Sequence, residues 1–351
     1  MKFSQVQLRL HHFDLPLRHA FGISRFTYSV QPSLIVELTN GEFSGFGEAT
    51  ADPYYNVSIS RMTRAAERAS TIIASTNWEH PNTLWQTLEA ELSGESFVHC
   101  AIDQAAHDLW GKASQRPTYE MLGLSLGAYP DSSFTIGLDR PEVMVAKLKE
   151  ESGWPIYKIK LGTNDDLKIV RALRECSDAV FRVDANCGWT PQQAIDYSFV
   201  LKELGVEFIE QPLPAEDWVG AELVYHESAL PIVADESCLV ASDIARCVGH
   251  FHAVNIKMVK CGGITPALKM IDQARQSGMK VMLGCMTESS VGISAIAQLL
   301  PLLDYVDIDG ANLLATDIAS GVMVEKGRCR FSSIPGNGVE MITPAGLDGQ
   351  N

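Results

Sequence analysis

The residues able to do chemistry cluster at short, repeated spacings in the later two-thirds of the chain. They are Lys158-Ile159-Lys160, Asp184-Ala185-Asn186, Glu210-Gln211-Pro212, Asp235-Glu236-Ser237, Lys257-Met258-Val259-Lys260 and Asp307-Ile308-Asp309. Three carboxylates brought together, Asp184, Glu210 and Asp235, would repel one another and raise their pKa values. A hard divalent cation resolves that conflict, and an all-oxygen donor set suits Mg²⁺. A substrate carboxylate held on such a cation has an acidified α-proton, because the cation stabilises the enediolate formed on proton removal. Lys160 and Lys257, placed on opposite sides of that carbon, form an acid/base pair. One removes the proton, and the other, protonated, returns one from the opposite face, so the carbon inverts. Each must titrate low enough to act as a base. The ammonium of Lys158 beside Lys160, and the charge of the cation, both push in that direction.

These pairs need strands to hold them, because residues two apart share a side only in a strand. From about residue 132 onward, β-rich runs alternate with helical ones. The strand runs are 133–138, 156–161, 180–185, 206–210, 231–235, 253–259, 280–284 and 305–309, and helical patterns fill 165–176, 191–204, 241–248, 265–277 and 290–300. Eight strands with intervening helices predict a (β/α)8-type barrel, whose strand C-termini form the active-site face. A doubly wound sheet is the alternative, and it would usually carry a Gly-rich loop after its first strand, which is not seen. Lys257 is expected within the sixth strand, across the mouth from Lys160, and Lys260 on the loop or facing away. Each feature also has a plainer reading. The lysine pair could be a solvated edge, any one carboxylate a helix cap or salt-bridge partner, and Asp307 and Asp309 could cap a helix. Three carboxylates at matching ends of consecutive strands are what these plainer readings leave unexplained.

The first part of the chain, residues 1–125, reads as an α+β capping domain. Its strand patterns are 33–38 and 43–49 after a first one at 6–10, and its helical patterns are 57–75, 81–92 and 97–122. The barrel is expected over 126–315, and residues 316–351 as a return segment whose short strand packs on the capping domain. Net charge is −15 with no basic run, so nucleic acid and anionic membrane surfaces are poor partners. With 46% hydrophobic residues the chain can bury a large core, and no apolar run approaches the ~20 residues of a membrane helix. The first residues alternate polar and apolar and lack the apolar stretch of a signal peptide. Eight scattered cysteines without a CxxC pair suit a reducing cytoplasm better than a disulfide framework.

Taken together, the barrel motifs resemble those of the enolase superfamily, in its muconate-lactonizing branch. Gly47-Glu48-Ala49 and the run from Ala101 to Lys112 look like that branch's capping domain. The resemblance implies Mg²⁺ on Asp184, Glu210 and Asp235, and Lys160 and Lys257 as the two bases. It also implies that Lys158 supports Lys160 and touches the substrate carboxylate, that Asn186 supports the site and that Glu236 orients Lys257. Asp307 and Asp309 on the last strand resemble the pair with which dipeptide epimerases hold a substrate's α-ammonium, and Cys285-Met286-Thr287-Glu288-Ser289 resembles that group's seventh-strand motif, with Met286 at the substrate. The implied partner is a small dipeptide. Family barrels often assemble into homo-oligomers, although no segment here names an interface. Side-chain selectivity is expected from Phe21-Gly22-Ile23-Ser24-Arg25 and Thr50-Ala51-Asp52-Pro53-Tyr54-Tyr55. Arg25 stands where Ala-Glu epimerases carry an arginine for the glutamate side chain, which points to L-Ala-D/L-Glu, a peptidoglycan fragment. The plainer reading of Arg25 is an exposed surface residue. The tyrosine pair departs from the Ala-Glu pattern, and an aromatic lid would accept hydrophobic side chains.

The rival enzymes are a muconate cycloisomerase, an o-succinylbenzoate synthase or an N-acylamino acid racemase of the same branch. None binds an amine, so the Asp307/Asp309 pair would lack a purpose. A Schiff-base aldolase would use one lysine as nucleophile and need no carboxylate triad. A non-catalytic barrel would not require both lysines and all three ligands.

Overall fold

The computed structural model describes residues 2–23 and 27–342. The capping region holds a three-stranded antiparallel sheet, β1 (Gln7–Gly22), β2 (Thr27–Thr39) and β3 (Ser44–Thr50), in that order. Three helices cover it, α1 (Ile59–Ser75), α2 (Pro81–Leu88) and α3 (Ser96–Ala113). Glycine decides how closely α3 approaches. A Cβ on Gly47 would fall 2.0 Å from the Ala101 carbonyl, and one on Gly45 2.2 Å from that of Ala105. Only a bare backbone lets sheet and helix meet there.

Two capping elements differ from the sequence expectation. α3 stops at Ala113 instead of running to 122, because Gln115 turns to φ +53° and Pro117 cannot continue the ladder. β1 is far longer than 6–10. It pairs with β2 from Gln7↔Thr39 to Pro16↔Val30, shifts register, and resumes at Phe21↔Tyr28. Its far half buries Leu15 and Leu17 against Leu314, and the exposed run Arg18-His19-Ala20 then interrupts the alternation. The end of β1 carries Phe21, and the start of β2 carries Tyr28, to the barrel mouth.

The barrel is β4 (Phe134–Ile136), β5 (Ile156–Lys160), β6 (Val180–Asp184), β7 (Val206–Glu210), β8 (Ile232–Ala234), β9 (Ala253–Ile256), β10 (Lys280–Gly284) and β11 (Tyr305–Asp307). All pair in parallel and in chain order. The two outer strands approach through a Ser132↔Val306 bridge and the Ile308 N–H donated to Ser132 Oγ at 2.9 Å. The sixth strand is shorter than expected. At Lys257 the backbone turns into a one-turn helix, Met258–Cys261, that ends on Gly262 at φ +99°. The last strand stops at Asp307, so Asp309 sits at the start of the 3-10 turn Gly310–Leu313.

The tail runs from the barrel back to the capping region, where Ala319 and Val339 pack with Ile35 of β2. Among the described residues its strands pair with one another, β12 (Ala319–Ser320) with β15 (Glu340–Met341) and β13 (Met323–Glu325) with β14 (Arg328–Arg330). It meets the capping region through backbone and side chains alike: the Thr118 N–H donates to the Gly336 carbonyl at 2.7 Å and the Gly336 N–H to the Arg116 carbonyl at 2.9 Å. Asn337 donates its N–H to Asp108 at 2.7 Å and its amide to the Gln104 carbonyl at 3.1 Å, and accepts from Thr118 Oγ1 at 2.7 Å.

Two buried carboxylates of the capping region lock it to the barrel. Asp103 of α3 accepts from the Thr265 N–H and hydroxyl, each at 2.8 Å, at the start of the helix Ile264–Gln276. Glu48 of β3 accepts from Ser33 Oγ at 2.7 Å, Ser289 Oγ at 2.5 Å and the Gly292 N–H at 3.0 Å. Next to it lies Glu288, whose pKa is pushed up to about 8 by burial and then by the charge of Glu48.

Removing Glu48 strands several buried donors, at about 1–3 kcal/mol each. Glu48→Ala should therefore lower the melting temperature by several degrees, more than Glu48→Gln, and equal loss in both would remove Glu48 from this role. Glu288 predicts a pH effect. The unfolded chain releases this proton near the ordinary glutamate pKa of about 4.3, whereas the folded chain keeps it until about pH 8. Stability from this group therefore falls as pH rises across that window. Glu288→Gln should flatten that fall in a melting-temperature series, and an unchanged slope would refute it.

Candidate active site

The strand ends converge as the β/α rhythm requires, and a network of lysines and carboxylates fills the mouth. Lys158, last residue but two of β5 and almost wholly buried, lies at its centre. Its Nζ is 2.8 Å from Glu210 Oε2, 2.9 Å from Asp307 Oδ2 and 3.4 Å from Asp184 Oδ2. Lys160 Nζ donates to Asp184 Oδ2 at 2.7 Å, and Lys257 Nζ to Asp235 Oδ2 at 2.7 Å. Lys160 ends β5 and Lys257 follows β9, four strands on in a ring of eight, so the two ammonium groups face one another across the mouth.

Asp184, Glu210 and Asp235 are buried and offer oxygens all within 4.8 Å of one another. Their electrostatics differ. Burial would raise Asp184, but Lys160 and Lys158 outweigh it and hold the carboxyl below its usual range. Burial also opposes ionisation of Asp235, and Lys257 and Lys260 overcome it, holding it well below. Glu210 has weaker compensation, and burial pushes it up to about 7. Two fixed carboxylates and a third that ionises near neutrality form an all-oxygen donor set that fits a hard divalent cation. Asp184, Glu210 and Asp235 would hold such a cation, and two of them, Asp184 and Asp235, already accept from Lys160 and Lys257.

The chain's own charges set the state of the lysines, and the structure corrects one expectation, the place of Lys260. Burial would lower Lys257, but Asp235 outweighs it and raises the ammonium pKa. Lys158 is also raised, since Asp307, Glu210 and Asp184 together outweigh its burial. The chain's own charges thus hold protons on these two lysines; the low pKa expected of Lys257 as a base needs positive charge at the carboxylates. Lys257 is held by its bond to Asp235, and Glu236 is among the nearby charges that act on it. Expected on the loop or facing away, Lys260 instead turns to the triad. Its Nζ donates to Asp235 Oδ1 at 2.5 Å and to the Asp235 carbonyl at 2.6 Å. The helical turn after β9 puts residues three apart on one side, so Lys257 and Lys260 grip the same carboxylate.

At the other end of the mouth, Asp307 accepts from Ser133 Oγ at 2.7 Å, and Asp309 accepts the Thr135 N–H at 2.6 Å and its hydroxyl at 3.2 Å. Burial would raise Asp307, but Lys158 holds it down, whereas burial and then Asp307 push Asp309 up to about 7. Ser133, Thr135 and Asn255, whose amide donates to Glu210 at 2.8 Å, were not singled out from sequence. The polar alternation of Ser133-Phe134-Thr135 was the available signal.

Above these groups lies a cavity of about 470 Å³, lined from the barrel by Lys158, Lys160, Asn186, Glu236, Lys257, Met286, Asp307 and Asp309. Asn186 also donates its backbone N–H to Asp184 Oδ1 at 2.9 Å. The capping region contributes Phe21, Ile23, Tyr28, Val30, Tyr54 and Tyr55, an aromatic and apolar wall. Arg25 lies outside the described residues. Among the described residues no helix is long and apolar enough to cross a membrane.

Comparison with known proteins agrees with this arrangement. Residues 6–123 match the family model of the mandelate racemase / muconate lactonizing enzyme N-terminal domain, and residues 143–345 the enolase C-terminal domain-like model. The chain is 51% identical to an L-Ala-D/L-amino acid epimerase of a Maribacter species, over 96% of this chain and 99% of that protein. It is 48% identical to an L-Ala-D/L-amino acid epimerase of Flavobacterium johnsoniae, over 96% of this chain and all of that one. A dipeptide epimerase from Enterococcus faecalis, solved with Mg and L-Leu-L-Tyr, superposes with a TM-score of 0.87 at 31% identity, covering 97% of this chain and 99% of the other. In sequence, in barrel and cap, and in its carboxylate triad, the chain belongs to the mandelate racemase / muconate lactonizing enzyme family of the enolase superfamily.

Proposed function

We propose that this chain is a Mg²⁺-dependent dipeptide epimerase that inverts the α-carbon of the C-terminal residue by two-base proton transfer, with L-Ala-D/L-Glu as its expected substrate. The observation that carries this reading is the pair of lysines facing across one mouth, with a carboxylate triad below and a second acidic pair at β11. Asp184, Glu210 and Asp235 would hold the cation, which when bound supplies the positive charge that acidifies the α-proton of a carboxylate beside it. Lys160 and Lys257 stand on opposite faces of the carbon that lies between them. One accepts the α-proton at its Nζ while the other, as an ammonium, delivers a proton to the far face. Lys158 keeps its charge, tied to Asp307 and Glu210, and serves as a fixed counter-charge. Asp307 and Asp309 receive the dipeptide's ammonium, a role that no acylated or dicarboxylate substrate would use. The cap closes over the site and keeps water from the carbon.

The substrate L-Ala-D/L-Glu rests on Arg25, and it would place the reaction in the metabolism of peptidoglycan fragments. A second reading, a hydrophobic second residue, is favoured by the aromatic wall of Phe21, Tyr28, Tyr54 and Tyr55. The Enterococcus relative with L-Leu-L-Tyr supports it.

Proton NMR in D₂O tests both. With Mg²⁺, the C-terminal α-proton of L-Ala-L-Glu or of L-Ala-L-Tyr should exchange while the other diastereomer appears, and EDTA should stop both. The faster of the two decides between the readings, and no exchange in any dipeptide would sink the proposal. Lys160→Ala and Lys257→Ala should each slow epimerisation by at least about 10³-fold, toward the upper end of what a general acid or base contributes. Each variant should keep exchange from the face of its remaining lysine. Full epimerisation by either variant would refute the two-base assignment. Asp309→Asn should raise KM for dipeptides about tenfold while leaving Mg²⁺ affinity by calorimetry within twofold. Equal loss of both would contradict its role at the ammonium.

A further inference from the structure

Asn255 is a fully buried residue of β9, two places before Lys257, and it does not line the substrate cavity. Its Nδ2 donates to Glu210 Oε1 at 2.8 Å, reaching past β8 to the end of β7. Its Oδ1 is buried too and has no hydrogen-bond partner among the described residues. An unpaired buried amide oxygen costs stability that an apolar side chain of the same shape would not. The bond to Glu210 is therefore what calls for an amide here. Gly284 of β10 makes room for it. A Cβ on Gly284 would fall 2.9 Å from both Asn255 Nδ2 and Oδ1 and 3.3 Å from Cγ, its three nearest contacts. Gly284 lies outside the left-handed region, so the bare position serves the amide and not a turn.

The two aspartates of the triad each have one oxygen on a mouth lysine and the other on a separate donor. Asp184 Oδ2 accepts from Lys160 and its Oδ1 from the Asn186 N–H at 2.9 Å. Asp235 Oδ2 accepts from Lys257 and its Oδ1 from Lys260 at 2.5 Å. Glu210 differs. Lys158 lies 3.1 Å from its Oε1 and 2.8 Å from its Oε2, so this ammonium does not distinguish the two oxygens. Glutamate also has one more side-chain torsion than aspartate to fix. Asn255 supplies the separate donor, and a neutral one, on Oε1 alone. We propose that Asn255, seated on Gly284, is a positioning residue for the metal site: its amide pins one oxygen of Glu210 and holds this carboxylate in the triad before a cation arrives. A ligand ordered in advance leaves less to be ordered on binding, and the affinity for the cation rises accordingly. The inference rests on the triad as the Mg²⁺ site and is independent of which dipeptide is turned over.

The test titrates Mg²⁺ by calorimetry into EDTA-stripped wild type, Asn255→Leu, Asn255→Ala, Gly284→Ala and the double variant Gly284→Ala/Asn255→Ala, with a melting curve for each. Asn255→Leu and Gly284→Ala should each weaken Mg²⁺ binding by about tenfold or more, the scale on which groups behind a metal ligand act. The first fills the same space without a donor. The second keeps the amide and displaces it. What they share is the lost bond to Glu210. In the Asn255→Ala background, Gly284→Ala should cost no further affinity, because the atoms that its methyl would displace are gone. Wild-type affinity in either Asn255→Leu or Gly284→Ala would overturn the inference. So would a Gly284→Ala loss of equal size with and without the amide, which would locate the effect in β10 itself. Failure of both Asn255→Leu and Gly284→Ala to fold would also overturn it, making the amide a requirement of barrel closure. Absence of Mg²⁺ binding by the wild type would overturn the triad as a metal site, and this inference with it.

Discussion

The structure depends on holding four lysine ammonium groups and five carboxylates against one another in a buried barrel mouth. A buried ion without partners costs several kcal/mol, and removing one member of such a set leaves another uncompensated. Lys158 is the pivot, touching Glu210, Asp307 and Asp184 at once. Those three carboxylates come from β7, β11 and β6, so the balance exists only when the barrel has closed. Closure and charge placement are therefore one event. The network gives up stability that an apolar filling would supply, and in exchange fixes each oxygen where a cation or substrate would need it.

The cap is joined to this barrel by polar latches set away from the network. Glu48 reaches the start of the helix Ser290–Ala297, and Asp103 the start of the helix Ile264–Gln276. Both place a carboxylate against the free N–H groups of a helix N-terminus, where the partial positive charge favours it. The helices concerned follow β10 and β9, which carry Met286 and Lys257 at their ends. Docking the cap thus braces the strand ends that line the substrate cavity.

Much of this was written in local pattern. Lys158 and Lys160, Asp184 and Asn186, and the acids ending β7 and β8 are separated by two residues or sit at the end of apolar runs, and alternation assigns their side. What pattern could not convey was where alternation stops. Asn255-Ile256-Lys257-Met258-Val259 alternates as a strand would, yet the chain turns helical at Lys257 because Gly262 and Gly263 supply the backbone angles that end one tight turn. Lys260 was misplaced for that single reason. The long β1 was missed because Arg18, His19 and Ala20 are exposed in a row and break the alternation that Leu15 and Leu17 carry. The latches of Glu48, Asp103 and Asn337 join residues more than 150 positions apart in chain. No local window contains them.

The division of labour between the two regions follows from their physics. Barrel groups are tied into one electrostatic set, so changing any one disturbs several partners. The cap wall, in contrast, is made of rings and aliphatic side chains such as Phe21, Ile23, Tyr54 and Tyr55, on a hairpin end and a short loop. Their contacts are dispersion contacts, individually small and replaceable. A change there alters the shape offered to a side chain without moving charge near Lys160 or Lys257. Proton transfer can therefore stay fixed while the accepted side chain varies, which is the reason to look for selectivity in the cap and for chemistry in the barrel.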